Sequence, residues 1–351
     1  MGHSLTMNNP ESKPRYIRQS LFEGIGEAGQ QQIGRSKVLV VGCGALGSVI
    51  ANTLARAGVG HLRIVDRDFL ELNNLQRQVL YDEADVDSEL PKAIAAANRL
   101  RRINSAITIE PIVENVGWDN IAELANQVDV IADWTDNFET RFLINDAAHQ
   151  LGIPWIYGGC IGAEGQTMSI VPGETGCLRC LMSDVPPPGT TPTCDTAGIV
   201  GPIVNIIASF QAAEVLKIVS GNRDKLSPHL SVFDLWGNRV RQIGLNQLRG
   251  DRCPTCREEN YEWLSGERAS QTAVLCGRNA VQLSFPDKVQ LDLESLEAKL
   301  AEVGDVRRNP FLLRVKIESY ELTIFKDGRA VIAGTDDPNE ARSVYARYIG
   351  A

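Results

Sequence analysis

The stretch Lys37-Val38-Leu39-Val40-Val41-Gly42-Cys43-Gly44-Ala45-Leu46-Gly47 reads as a buried strand that breaks on glycines and runs into a helix. Residues 37–41 are almost continuously apolar, the mark of a strand covered on both faces. A helical pattern over 48–57 follows, with Gly58 as its stop. A G-x-G-x-x-G turn lets backbone approach a phosphate, while the free N–H groups and partial positive charge of the helix start face the anion. The next strand, 62–65, ends at Asp66, about twenty residues on, where a carboxylate can accept hydrogen bonds from ribose hydroxyls. A tight structural turn is the competing reading of the glycines. The turn by itself does not choose between a dinucleotide and ATP.

Working outward, helix 91–103, strand 107–112, helix 119–125, strand 128–132, helix 138–151 and strand 154–157 continue the alternation. The fold class this predicts is α/β: a doubly wound, Rossmann-like and mainly parallel sheet. After Gly158 the pattern changes to hairpin strands, with 166–171, 230–233 and 240–243 continuing the sheet antiparallel. Between them lie a loop, 185–193, rich in proline, and an apolar helix, 203–219, with Gly221 as its C-cap. Polar residues 258–270 read as a linker to a small C-terminal α+β unit. That unit has a strand over 281–284, a helix over 293–303 capped by Asp292, and a hairpin over 322–332 turning at Lys326-Asp327-Gly328. A helix over 339–348 closes it, with Pro338 in its first turn and Asp337 before it. The domain expectation is therefore 14–257, carrying the nucleotide site, and 271–351, of unknown role.

Composition narrows the function. With 351 residues, 43% apolar and 23% charged, the chain can bury a real core, and disorder is disfavoured. A net charge of −9 argues against nucleic acid as the main partner. The start, residues 1–10, lacks a signal-peptide core, and no uninterrupted apolar run reaches the ~18 residues of a membrane span, so the expectation is a cytoplasmic protein with no membrane partner. Eight cysteines are too sparse for a disulfide scaffold. Four stand in two Cys-x-x-Cys pairs, Cys177/Cys180 and Cys253/Cys256, which can give four thiolates to a closed, structural Zn²⁺ site. Redox-active pairs are the alternative.

Cations decide what the glycine turn holds. Asn74, Arg77 and Lys92 follow the second strand. A nicotinamide enzyme has little use for extra cations there. Adenylyl transfer, by contrast, develops charge on the α-phosphate and on departing pyrophosphate, which a guanidinium fork and an ammonium stabilise. Each cation taken alone also fits a solvated surface. Asp136 lies past the carboxyl end of a strand, where such sheets bind ligands, and its hard carboxylate suits Mg²⁺. A helix N-cap for 138 onward is its other reading.

Taken in order, Arg15-Tyr16-Ile17-Arg18-Gln19, the glycine turn, Asp66-Arg67-Asp68, Asn74-Leu75-Gln76-Arg77-Gln78, Pro91-Lys92, Thr135-Asp136-Asn137 and both cysteine pairs resemble the MoeB/ThiF/HesA family. These are ubiquitin-activating-enzyme-like adenylyltransferases. The resemblance covers 14–257 and implies adenylation, with ATP and Mg²⁺, of the C-terminal Gly-Gly carboxylate of a ubiquitin-like sulfur-carrier protein serving molybdopterin, thiamine or a related pathway. It implies that Gly42, Gly44 and Gly47 line the phosphates, and that Asp66, with Asp68 in the same motif, holds the nucleotide at its ribose. It further implies that Asn74, Arg77 and Lys92 contact phosphate, and that Asp136 acts at Mg²⁺. Arg18 would reach the ATP of a partner subunit, so a homodimer is implied. Cys194 stands where relatives carry a cysteine able to take the carrier into a thioester or acyl persulfide; a spectator thiol is the equal alternative.

The tail departs from the pattern. Some relatives carry a rhodanese domain there, but 271–351 offers only Cys276, so sulfur would come from a separate donor protein. Two other function classes stand beside the adenylating enzyme: a nicotinamide-dependent oxidoreductase on the same fold, and a non-catalytic scaffold for a ubiquitin-like protein. The joint presence of Asp66, Arg77, Lys92 and Asp136 weighs against both.

Overall fold

Apolar strands alternating with helices build a sheet covered on both faces. The computed structural model describes residues 15–135, 137–186, 194–245, 252–268, 272–275, 279–283, 285 and 290–350. Asp136, Cys276, residues 187–193 and the side chain of Cys194 lie outside the described residues. Two short helices, α1 (Ile17–Ser20) and α2 (Gly26–Ile33), precede β1 (Lys37–Val41). Then come α3 (Ala45–Ala57), β2 (His61–Val65), α4 (Glu83–Asp87), α5 (Lys92–Ile103), β3 (Thr108–Ile112), α6 (Ile121–Leu124), β4 (Val130–Asp133), α7 (Phe138–Leu151), β5 (Trp155–Ile161) and β6 (Glu164–Ile170). The sheet is completed after α8 (Leu178–Leu181), α9 (Cys194–Ala197) and α10 (Gly201–Val219) by β7 (His229–Asp234) and β8 (Arg239–Gly244).

Strand order is β3-β2-β1-β4-β5-β6-β7-β8, parallel through β5 and antiparallel beyond. The period-two alternation of β1 splits its side chains between two cores. Val38 and Val40 face the core that also holds Leu54, Leu100, Ile207 and Val215 of α3, α5 and α10. Leu39 and Val41 face the one built with Ile121, Phe142 and Ile144 of α6 and α7. At the margin β8 is exposed along nearly its whole length, with Arg239 and Arg241 on it and Trp236 82% exposed at the turn before it.

Helix α10 begins two residues earlier than its apolar pattern predicts; Ser220 is its C-cap, and Gly221 follows with φ +82°. It is also long and apolar enough, by length and composition, to cross a membrane, although Glu214 and Lys217 interrupt its apolar run. Half of it is buried, packed on α3, β5 and β6, which accounts for its apolar character. Residues read as a polar linker bury Trp263, whose backbone N–H donates to Asp146 on α7 (3.0 Å).

A second sheet, wholly antiparallel in the order β11-β12-β13-β14-β10-β9, comes from β9 (Thr272–Leu275), β10 (Ala280–Leu283), β11 (Asp305–Arg308), β12 (Leu312–Ile317), β13 (Tyr320–Phe325) and β14 (Ala330–Ala333). Helices α11 (Leu293–Leu300) and α12 (Pro338–Tyr348) pack Leu296, Leu300, Ala341 and Val344 against it. Asp292 and Asp337 cap those helices from their side chains, as the sequence leads one to expect. Helix α11 stops at Leu300, three residues short of the predicted end.

Candidate functional site

The glycine turn closes over the carboxyl ends of β1 and β4. Gly42 has φ +87°, a left-handed conformation that glycine alone adopts without strain, and a side chain there would meet the Trp134 carbonyl. At Gly47 a Cβ would come within 2.2 Å of the Gly42 carbonyl oxygen, so any side chain would push α3 off the turn. Gly44 is the N-cap of α3, so the first N–H groups of that helix stand open at the turn.

Asp66, at the end of β2, is buried beneath this turn. One carboxylate oxygen accepts the N–H of Cys43 and the other that of Asp68 (2.7 Å). Burial pushes its carboxyl up to about 6, opposed by Lys92 and raised further by Asp68. Lys92 is the first residue of α5 and is itself buried; its Nζ lies 3.1 Å from Asp68 and its N–H donates to the Asp68 carbonyl (2.8 Å). The Tyr81 hydroxyl donates to the Cys43 carbonyl (2.7 Å) and lies 3.2 Å from that of Lys92, tying the two segments together. Burial also pushes the Cys43 thiol up to about 12, which keeps it protonated and inert.

The structure thus brings Gly42, Gly44, Gly47, Asp66, Asp68 and Lys92 together. Asn74 is buried in a short helical turn, where its side-chain oxygen accepts the Glu71 N–H (3.1 Å). The partly exposed Arg77 donates to the Asn73 carbonyl (2.9 Å). Arg18 is exposed on α1, away from the turn. Tyr16 lies against Gly58 and Gln19 donates to the Ala57 carbonyl (2.9 Å), so α1 docks on the far end of α3. At 13 residues that helix is about 20 Å long.

Asp136 itself lies outside the described residues, but its neighbours are fixed. Thr135 donates its N–H and hydroxyl to the fully buried Asp133 (2.9 Å each), and Arg141 donates to the Thr135 carbonyl (2.6 Å). Asn137, not residue 136, caps α7, accepting the Glu139 N–H (2.8 Å). Three residues escape a reading of the chain by motif. Tyr81 acts through its bond to the distant Cys43 carbonyl, and Arg141 joins the Thr135 carbonyl to that of Gly158 (3.4 Å), contacts that leave no mark on local spacing. Gln78 is buried against Gly44, and its Oε1 has no partner among the described residues; it lies inside the run that carries the family resemblance, the one signal available for it.

The four cysteines converge: Cys177–Cys253 at 3.5 Å, Cys180–Cys256 at 3.4 Å and Cys177–Cys180 at 3.9 Å, with all four Sγ atoms within 4.8 Å of one another. Four sulfurs at ~2.3 Å from a tetrahedral centre stand about 3.8 Å apart, so the spacing fits one shared ion better than separate disulfides. Of Cys194 only the backbone is described, opening the short α9.

The ThiF family pattern matches residues 16–255. A sulfur carrier protein ThiS adenylyltransferase of Bacillus subtilis is 44% identical over 337 residues, 96% of this chain and 99% of its own. A sulfur carrier protein adenylyltransferase of Thermus thermophilus is 37% identical over 74% of this chain and 98% of its own. Among solved structures, MccB of E. coli with succinimide superposes with a TM-score of 0.61 at 23% identity, over 71% of this chain and 75% of that one, a likeness of fold.

Proposed function

The chain belongs to the ThiF family, and on that premise we propose that it is an adenylyltransferase acting, with ATP, on the C-terminal Gly-Gly carboxylate of a ubiquitin-like sulfur-carrier protein. Pyrophosphate is released and the acyl adenylate is ready for sulfur, in thiamine, molybdopterin or related biosynthesis. The observation that carries this reading is the pair of buried side chains, Asp66 and Lys92, linked through the half-exposed Asp68 behind a turn that tolerates no side chain at Gly47. A hydride-transfer enzyme has no call for a buried lysine there, and relatives named adenylyltransferases leave the nicotinamide reading without support.

In this reading the ribose hydroxyls donate to Asp66, while the N–H groups opening α3 at Gly44 face the phosphates. A carrier carboxylate oxygen attacks the α-phosphorus in line with the departing pyrophosphate. Lys92 exchanges its contact with Asp68 for phosphate oxygens, and Arg77 and Asn74 turn from their local bonds to the leaving group, where charge develops. Mg²⁺ would be held by Asp136, a hard oxygen donor between two anchored neighbours, and would neutralise phosphate charge. Zn²⁺ would be held by Cys177, Cys180, Cys253 and Cys256 in a closed site, fastening the segment after β6 to that after β8. Cys194 would take the activated carrier covalently, with sulfur arriving from a separate donor protein.

We place Arg18 at the ATP of a second copy. Its helix is docked on the end of α3 remote from the turn, and Leu21 and Phe22 beside it are 73% and 64% exposed, apolar surface that a homodimer would cover. Carrier-dependent ATP–pyrophosphate exchange tests the function. Exchange should require a carrier ending in Gly-Gly, and Arg77→Ala should reduce it about 100-fold. Undiminished exchange by that variant, or none by the wild type with any such carrier, would overturn the reading.

A further inference from the structure

The second sheet grips the nucleotide site. Beside the glycine turn, two segments form that site: residues 66–69 leaving β2 and 89–92 entering α5. They are joined by the Lys92–Asp68 contacts and by an antiparallel bridge between Phe69 and Pro91. Each is held from outside by residues more than two hundred positions away in sequence.

On the first segment, the Phe69 ring lies 5.9 Å from that of Phe325 at 41°, with Leu312 in the same buried cluster. The Arg329 guanidinium lies over the Phe325 ring at 4.6 Å, with its Nε 2.6 Å from Asp327. Arg329 is buried, its Nη1 has no hydrogen-bond partner among the described residues, and its charge is attracted by Asp68 and repelled by Arg67. On the second segment, Asn309 donates its amide to the Glu89 carbonyl (2.9 Å), and Arg314 lies 3.8 Å from the Glu89 carboxylate. Asn309 is itself oriented, because its side-chain oxygen accepts the N–H groups of Phe311 (2.9 Å) and Leu312 (3.0 Å). Glu89 has φ +47°, a strained conformation for a residue with a side chain, and one that persists where surrounding contacts hold it.

We propose that the C-terminal unit is an intramolecular brace for nucleotide binding, with Asn309, Phe325 and Arg329 as positioning residues that hold the Asp66–Asp68 and Glu89–Lys92 segments in the geometry ATP needs. This rests on the assignment of Asp66 and Lys92 to ATP made above. A ligand that must first order its own site loses affinity by the cost of that ordering. A brace removes the cost in advance. Its loss therefore appears in ATP affinity, whereas an appendage serving only stability would leave the affinity of the folded protein unchanged.

The test uses the full chain with Asn309→Ala and, separately, Phe325→Ala. ATP dissociation constants come from calorimetry, Michaelis constants for ATP and for carrier from pyrophosphate exchange, and folding from near-UV circular dichroism. Both variants should weaken ATP binding about 5- to 10-fold and raise KM for ATP to match, with KM for carrier within twofold of wild type. Folded variants that bind ATP as the wild type does overturn the brace and leave the adenylation reading intact. A wild type that binds no ATP overturns both. Should either variant fail to fold, hydrogen exchange on the wild type decides: reciprocity requires ATP to slow exchange around residues 309–329, and exchange indifferent to ATP sinks the proposal.

Discussion

Asp66 sets two demands against each other. The backbone N–H groups of Cys43 and Asp68 favour its anion, yet burial lifts its carboxyl from its ordinary value of 3.8 to about 6. The folded protein therefore holds this proton more tightly than the unfolded chain, and the Asp66 contribution to stability falls as pH climbs from about 4 to about 6. In the role proposed for it, Asp66 accepts ribose hydroxyls best as the anion, so ATP binding should follow the opposite course. Calorimetry on the wild type should show the ATP dissociation constant rising about tenfold between pH 7 and pH 5, and Asp66→Asn should flatten that component of the profile. A wild-type slope retained in Asp66→Asn would place the titrating group elsewhere. At this scale the sequence is legible wherever covalent spacing dictates chemistry: Gly42, Gly44, Gly47 and Asp66 stand out because a turn and a strand end locate them. Tyr81 and Arg141 do not, because partners such as the carbonyls of Cys43 and Gly158 are met only through folding.

Elements whose pattern is continuous and double-faced read well. Strand β1 and helix α7 occupy the predicted residues, 37–41 and 138–151, because burial on a fixed period leaves little freedom over where they start and stop. Strand β11, whose residues Asp305, Arg307 and Arg308 face solvent, gives no apolar period to read, and the short α1 buries no residue at all. The cysteine cluster belongs to this scale as well, since it joins α8 to the turn at 253–256. Removing one ligand, as in Cys253→Ser, should reduce zinc from about one per chain to near zero. The expected loss of about 3 kcal/mol corresponds to a fall in Tm of roughly 4–6 °C. Elemental analysis and a thermal melt measure both, and a variant melting with the wild type would remove the stapling role.

The molecule as a whole is the level at which the sequence says least. Nothing in the segment around Phe69 announces Phe325, and Asn309 carries no motif; their meeting depends on how two separately cored sheets dock. Subunit exchange probes the proposed dimer at the same level. Arg18→Ala and Lys92→Ala should each be nearly inactive, yet an equal mixture allowed to exchange should recover about a quarter of wild-type exchange activity. Half the dimers would then be mixed, and each would own one complete site. A mixture as inactive as its components would return Arg18 to the chain that carries it.

Strand β8, one margin of the larger sheet and unpaired on its outer side among the described residues, has its own consequence. Its free N–H and C=O groups invite any extended peptide to add a further rung, which is how fibrils begin. Arg239 and Arg241 stand on that strand, the first with its guanidinium held by Asp234 (2.8 Å), so a copy arriving beside it in register sets Arg241 against Arg241, and the repulsion grows with every layer. Neutralising Arg241 would remove that repulsion while keeping the Arg239–Asp234 pair, and would turn the border into a seed.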